Sequence, residues 1–446
     1  MSKGAVNFIS RPLLLLFFSC GSFGAFAESP NVLPQPLTLE YALSLVDVDH
    51  PSLQQARADQ LEAQAEQLVS EAEDDVNISL EARARWVQPS SSVSDEVVDD
   101  HKGSLFVRKP LYDFGRTSAL QQATRSEAQA MVARYQSQRD QRRLAIMRAF
   151  FQVLLADQEN YRDNEALAIA FITVDRLRTR QELGQTSDIE VLEQESHYQT
   201  IRNQLLGSES RQRLGRSTLA NLLNRPGELP SELVTPSFNY ANYPLPDYEK
   251  LLNLAHQHNL RLAAQQLELQ AAQRRVASAR SERLPRLDAE LEASSYSREM
   301  GSNDSLRAGV TLRVPIYNGD RVNAAVAREQ AEVMRLRAQL SQARQELRQA
   351  LLESWFEIQR LRQRREQVKS ELDYRELYLD RSRANYEMEV KADLGDAMVR
   401  LSDAQLALIK NDFDTALAWE QLRALLGVEL ESLDEAGALP QGEVGQ

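Results

Sequence analysis

The chain of 446 residues carries a formal net charge of −13 and no basic patch interleaved with aromatics, which excludes nucleic acid as an expected partner. Only 17 Gly and 15 Pro punctuate it, so long uninterrupted elements are expected in place of a string of small domains. Its one cysteine, Cys20, excludes a disulfide framework.

In chain order, Lys3 and Arg11 precede the apolar run Leu13 to Phe18 and then Ala25-Phe26-Ala27, the pattern of a secretory signal over 1–27 cut after Ala27. Losing Lys3 and Arg11 takes the net charge from −13 to −15 and removes Cys20, leaving no thiol chemistry. A lipoprotein cut before Cys20 is the alternative, and Phe17-Phe18-Ser19 matches its usual Leu-small-small lead poorly. No later segment reaches about 18 consecutive apolar residues, so no helical membrane anchor is predicted.

A helix follows over 37–72, with a kink expected at Pro51, whose ring does not fit a helix interior. A β-hairpin is predicted over about 77–110: Ile78, Leu80, Ala82, Ala84 and Trp86 alternate with Ser79, Glu81, Arg83 and Arg85, and a second strand spans 104–109. Beyond Pro110 no proline occurs until Pro226, which allows a long helix, a break near Gly184 and a return helix from Ile189 to Leu223. Residues 225–246, with five prolines, read as a linker.

The same series then recurs: a helix over 247–282, a hairpin over about 286–315, and from Val322 to Leu394 a stretch of 73 residues without Gly or Pro. As one helix it would be ~110 Å long. Val333, Leu336, Leu340, Ala343, Leu347, Ile358, Leu361, Val368 and Leu372 step by threes, fours and sums of these, a narrow coiled-coil seam. A return helix spans 394–426 and a tail 428–446. The recurrence is literal in places. Pro110-Leu111-Tyr112-Asp113-Phe114-Gly115-Arg116 returns 205 positions later as Pro315-Ile316-Tyr317-Asn318-Gly319-Asp320-Arg321. Residues 28–224 and 247–427 are thus read as two copies of one supersecondary assembly.

Strands of about ten residues, apolar on one face and charged on the other, have the length and pattern of transmembrane β-strands. Amphipathic hairpins lying on a soluble core are the other reading of the strand pattern alone. Four strands cannot close a barrel, and lipid does not tolerate open edges, so several protomers must pool strands. The fold class expected is mainly α with a small β-barrel portion. The histidines show no metal-ligand spacing (His256 and His258 are two apart on a helix), and no phosphate loop or nucleophile elbow appears, so no cofactor, metal or enzyme activity is predicted.

The duplicated order of helix, hairpin, Pro-[Leu/Ile]-Tyr, long helix and return helix, from Leu37-Thr38-Leu39-Glu40-Tyr41-Ala42-Leu43 to Leu425-Leu426-Gly427, resembles the TolC-like outer-membrane efflux factors. The resemblance implies a homotrimer with a 12-stranded barrel in the outer membrane of a Gram-negative bacterium and an α-helical tunnel through the periplasm. It implies a passive exit duct working with a periplasmic adaptor and an inner-membrane pump. The exit channel of a type I secretion system shares the fold, and a soluble periplasmic coiled-coil adaptor is the rival of another class. The resemblance places Asp393 and Asp396 at the tunnel entrance, on one helix face, and Glu190 and Glu193 repeat their spacing as a candidate outer ring. It places Gly184, Gln185, Glu387 and Met388 at the periplasmic tip, where Glu387 departs from the usual glycine and Gln181 and Ala384 stand where an aromatic is common. Pro110, Tyr112, Pro315 and Tyr317 mark the strand–helix junctions; the tyrosines are either interfacial anchors or packing in the seam. Trp86 and Tyr296 are candidates for an aromatic girdle.

Overall fold

The computed structural model describes residues 33–48, 50–88, 99–238, 240, 243–297, 303–388 and 394–429. The signal segment, Cys20 and Asp393 lie outside the described residues.

The predicted helix over 37–72 is two helices and a 3-10 turn. α1 (Leu39–Ser44) is capped by the Thr38 side chain, the 3-10 turn covers Leu45–Asp47, and α2 (Pro51–Ala72) begins at Pro51. Pro51 therefore starts a helix, at the first-turn position where its missing N–H is no loss, and does not kink one. In the second copy, α5 (Tyr248–His258) and α6 (Leu260–Ser281) break at the equivalent place without proline: the Asn259 side chain accepts from the Leu262 N–H and donates to the Leu425 carbonyl.

Four antiparallel strands, β1 (Asn77–Arg83), β2 (Lys102–Tyr112), β3 (Arg286–Tyr296) and β4 (Leu306–Arg313), form one sheet in the order β1-β2-β3-β4. The β2–β3 pairing joins the two copies edge to edge. β1 stops at Arg83, short of Trp86, which makes only an isolated bridge to Asp99. Pro110 lies inside β2, beside a register shift between Pro110 and Tyr112, not at the strand's end. A bulge is a place where a sheet tolerates a residue without an N–H.

α3 (Arg116–Glu182) and α7 (Arg321–Glu387) are each 67 residues, about 100 Å long at 1.5 Å per residue. α7 ends at Glu387 and does not run on to Leu394. Return helices α4 (Asp188–Leu222) and α8 (Leu394–Leu426) fold back along α3 and α7. Along α7, Val333, Leu340, Leu347, Ser354, Leu361 and Val368 are buried at a strict seven-residue spacing. A seven-residue repeat on a 3.6-residue helix imposes left-handed supercoiling.

The core sits at mid-height in two related clusters. In the first, Leu39, Ala42 and Val46 pack on Phe150, Phe151 and Val153 of α3; in the second, Leu251 and Leu252 of α5 pack on Leu351 and Ile358 of α7 and Trp419 of α8. The linker is a strap over both. Leu37 pairs with Leu233, Phe238 and Tyr240 stack on one another, and Trp355 Nε1 donates to the Pro246 carbonyl. Phe151 stacks on Phe413 at 4.4 Å and meets Phe238 at 5.6 Å, and Tyr240 reaches Trp419 at 6.4 Å, so an aromatic chain ties the copies together. Beside it Arg423 donates to Asp140 (2.7 Å) and Glu420 (2.8 Å), and Glu420 also accepts from Arg143 (2.6 Å). Burial works against the Arg423 charge, yet the Asp140 hydrogen bond and the Glu420 and Asp140 charges outweigh it and raise its pKa.

Phe151→Ala removes a fully buried ring from the center of this chain of contacts and is expected to destabilise the protein by about 3–5 kcal/mol. A denaturation midpoint measured in detergent should fall accordingly, whereas Met334→Ala, on an exposed position of α7, should leave it near that of the parent.

Candidate functional site

The sheet decides where this chain can reside. Across the register Ile78, Val107, Leu291 and Ala308 stand side by side, and Leu80, Leu105, Ala293 and Leu306 form the next row. On that face the only charged strand residue is Lys109; the other charged strand residues all alternate onto the opposite face. Exposure is inverted relative to a water-soluble sheet. Leu80 is 79% exposed, while Glu292 on the charged face is 5% exposed. Ion pairs line the charged face, among them Lys102 to Glu292 and Arg108 to Glu290, both at 2.6 Å. An outward apolar face over a polar interior is what a barrel wall in lipid requires.

At the foot of the sheet the chain turns into the long helices. Asp113 accepts from the Gly115 N–H (3.1 Å) and the Thr117 N–H (2.7 Å) at the start of α3; burial pushes its carboxyl up, and the hydrogen bonds from Thr117, Gly115 and Arg116 together hold it below the usual range. Tyr112 meets Phe114 edge-on at 4.7 Å, whereas Tyr317 and Ile316 are almost wholly exposed, and Pro315 lies just past the end of β4. Trp86 sits edge-on to His101 and Tyr296 lies under the Lys102 ammonium, both at the far end of the sheet.

At the opposite end, α3 closes in a Schellman turn. Gln185 N–H donates to the Arg180 carbonyl and Gly184 N–H to the Gln181 carbonyl, both at 2.8 Å, with Gly184 at φ +68°, a conformation that favours glycine. Gln181 also reaches across to Asp188 (2.7 Å). In the second copy Glu387 is the last helical residue and Met388 its cap. Since α3 and α7 are equally long, Glu387 corresponds to Glu182, and the counterpart of Gly184 is Glu389, which is again not a glycine and lies outside the described residues.

The acids near this end have different surroundings. Glu190 completes a capping box: Ser187 Oγ accepts from the Glu190 N–H (3.3 Å), and the Glu190 carboxylate takes hydrogen bonds from Thr186 and the Ser187 N–H, which lower its pKa. Its carboxylate is thereby committed to the turn. Glu193, one turn on, is exposed and has no partner among the described residues. Asp396 opens α8 and accepts from Arg400 Nε at 2.6 Å, one turn further along the same face. Deeper in, α8 is tied to α3 by Arg162 to Asp403 (3.0 Å) and Ser402 to Glu165 (2.8 Å). Gly395 lies hard against α3: a Cβ there would lie 2.5 Å from Ile169 Cγ2.

The sequence model described as "Outer membrane efflux protein" matches residues 42–225 and 251–428. The chain belongs to the outer membrane efflux protein family. Solved structures agree on the fold: the outer membrane protein VceC of Vibrio cholerae superposes with a TM-score of 0.72 at 19% identity, covering 88% of this chain and 96% of VceC. The open-state MtrE channel of Neisseria gonorrhoeae gives 0.71 at 16% identity, covering 88% and 89%, and the Campylobacter jejuni CmeC channel 0.70 at 14%, covering 89% and 88%. No curated protein sequence matches.

This family member is an outer-membrane protein, and its family consists of passive channels, not enzymes. No helix among the described residues is long and apolar enough to cross a membrane. Sequence reasoning missed Arg400, although its spacing from Asp396 was readable. It could not have found Gly395 or Asp403, whose roles depend on a neighbouring helix more than two hundred residues away in sequence.

Gly395→Ala should push the start of α8 off α3, destabilising the contact by about 1–3 kcal/mol. Shortening the opposing side chain in Gly395→Ala with Ile169→Ala should restore the loss, and thermal midpoints of the single and double variants check the pairing.

Proposed function

We propose that the chain is the exit duct of a tripartite export system. Three copies pool their strands into a twelve-stranded barrel and their helices into one tunnel, so that solutes handed over in the periplasm leave without meeting the lipid. The observation that carries this reading is the combination, on one chain, of an apolar outward sheet face with antiparallel helices about 100 Å long. Edge strands β1 and β4 each lack a second neighbour among the described residues, and lipid leaves such edges only one remedy, pairing with another chain. Exposed Phe171, Ile172, Leu206 and Leu214 on α3 and α4, and Phe356 and Leu377 on α7, supply the apolar surface that neighbouring protomers would cover.

In this reading the turn of Gly184 and Gln185, with exposed Leu183, Ile189, Tyr386 and Met388, is the end offered to a periplasmic adaptor, and an inner-membrane pump supplies the energy. Asp393 and Asp396 line the entrance, with Glu193 outside them. Asp396 brings Arg400 with it, so the mouth alternates acid and base over one helical turn, and the uncompensated acids set its preference for cations. Glu190 serves the turn instead.

Planar-bilayer recording of the purified protein tests the duct. Reproducible conductance steps with cation preference are expected, and Asp393→Ala with Asp396→Ala should weaken that preference. Membrane-inserted protein that gives no steps would contradict the reading.

A further inference from the structure

The polar face of the sheet carries more positive charge than it neutralises. Arg83, Lys102, Arg108, Arg286, Arg307 and Arg313 share it with four carboxylates, Glu81, Asp288, Glu290 and Glu292. Every carboxylate is already taken: Glu81 by Arg83 (3.0 Å), Asp288 by Arg286 (2.7 Å), Glu290 by Arg108 (2.6 Å), and Glu292 by both Lys102 (2.6 Å) and Arg307 (3.4 Å). Arg307 also reaches Asp304 at 3.5 Å, just before β4. Arg313 has no partner among the described residues, and the register sets it directly opposite Arg286. Like charges facing each other across a strand pair are destabilising. In a chain whose net charge is −13, an excess of cations on this face runs against the overall trend.

We propose that this face is an anion-binding belt inside the barrel, with Arg313 as its open position, and that it takes multivalent anions, phosphate-bearing or polycarboxylate, from the barrel end of the duct. The proposal rests on the reading that three protomers close the barrel with this face inward. One uncompensated cation per protomer, Arg313, then converges with its two copies on one lumen, where low-dielectric walls focus their field. Paired arginines keep their geometry through their carboxylates, while Arg313, with its planar fork unoccupied, is free to take a phosphate or carboxylate bidentately. The duct is thus electrostatically two-ended: acids select at the narrow periplasmic mouth, and a cationic belt holds anions at the far end.

The test is side-specific block of single-channel current by inorganic tripolyphosphate. Block from the barrel side is expected at lower concentration than from the helical side, with affinity falling about tenfold in Arg313→Gln, staying near the parent in Arg313→Lys, and falling also in Arg307→Gln. Pores that conduct normally but show no block from the barrel side, or equal block in parent and Arg313→Gln, would overturn the belt. So would a trimer that loosens in Arg313→Gln with block unchanged, because Arg313 would then be tying its strand edge to the acidic foot of the next protomer's β1, at Asp74 and Asp75. Loss of all conductance in folded, inserted parent protein would overturn the duct itself, and the belt with it.

Discussion

Everything else in this structure follows from one constraint: a backbone N–H or C=O in hydrocarbon must find its partner within the protein. Four strands arranged β1-β2-β3-β4 satisfy their interior ladders and leave two edges open. The apolar rows on one face commit the sheet to lipid, and that commitment makes open edges intolerable. Assembly with other copies is then the way the sheet survives in the membrane, and the long helices beneath it inherit the same symmetry axis.

Holding two copies of an assembly in register over such lengths needs a rigid middle. Aromatic stacking from Phe413 through Phe151, Phe238 and Tyr240 to Trp419 runs beside the buried Arg423, Asp140, Glu420 and Arg143 cluster. Breaking one member of such a cluster leaves a buried charge without compensation. Below this middle the helices are joined by thinner contacts, among them two polar ties between α3 and α8 and the approach at Gly395. The chain thus grades from a packed waist to a lightly tied end, and regions with few buried contacts are the ones that move at low free-energy cost.

Much of this was legible in the sequence because the determining patterns are local. Period two in Leu306, Ala308, Val310 and Leu312 gave the sheet face, period seven in α7 gave the seam, and the returning Pro-Leu-Tyr and Pro-Ile-Tyr gave the duplication. What escaped depends on neighbours distant in the chain. Pro51 reads as a kink until one sees that the second copy breaks at Asn259 without proline. Glu387 looks like the counterpart of Gly184 until equal helix lengths set it at the place of Glu182. Glu190 resembles a channel acid by spacing, yet the Thr186 and Ser187 donors bind it into a cap. The linker, read as irregular, proved to be the strap that carries the aromatic contacts between copies, because its Phe238 and Tyr240 acquire meaning only against Phe151 and Trp419.

The central claim is that one face of the sheet meets lipid and the other meets water. Single cysteines placed in turn along 306–313 of β4, in a background with Cys20→Ser, test it in the membrane-inserted protein. Positions 307, 309, 311 and 313 should react with a water-soluble charged thiol reagent, and 306, 308, 310 and 312 should resist it while being quenched by a lipid-borne probe. Uniform reactivity along the strand, or the opposite alternation, would contradict the account.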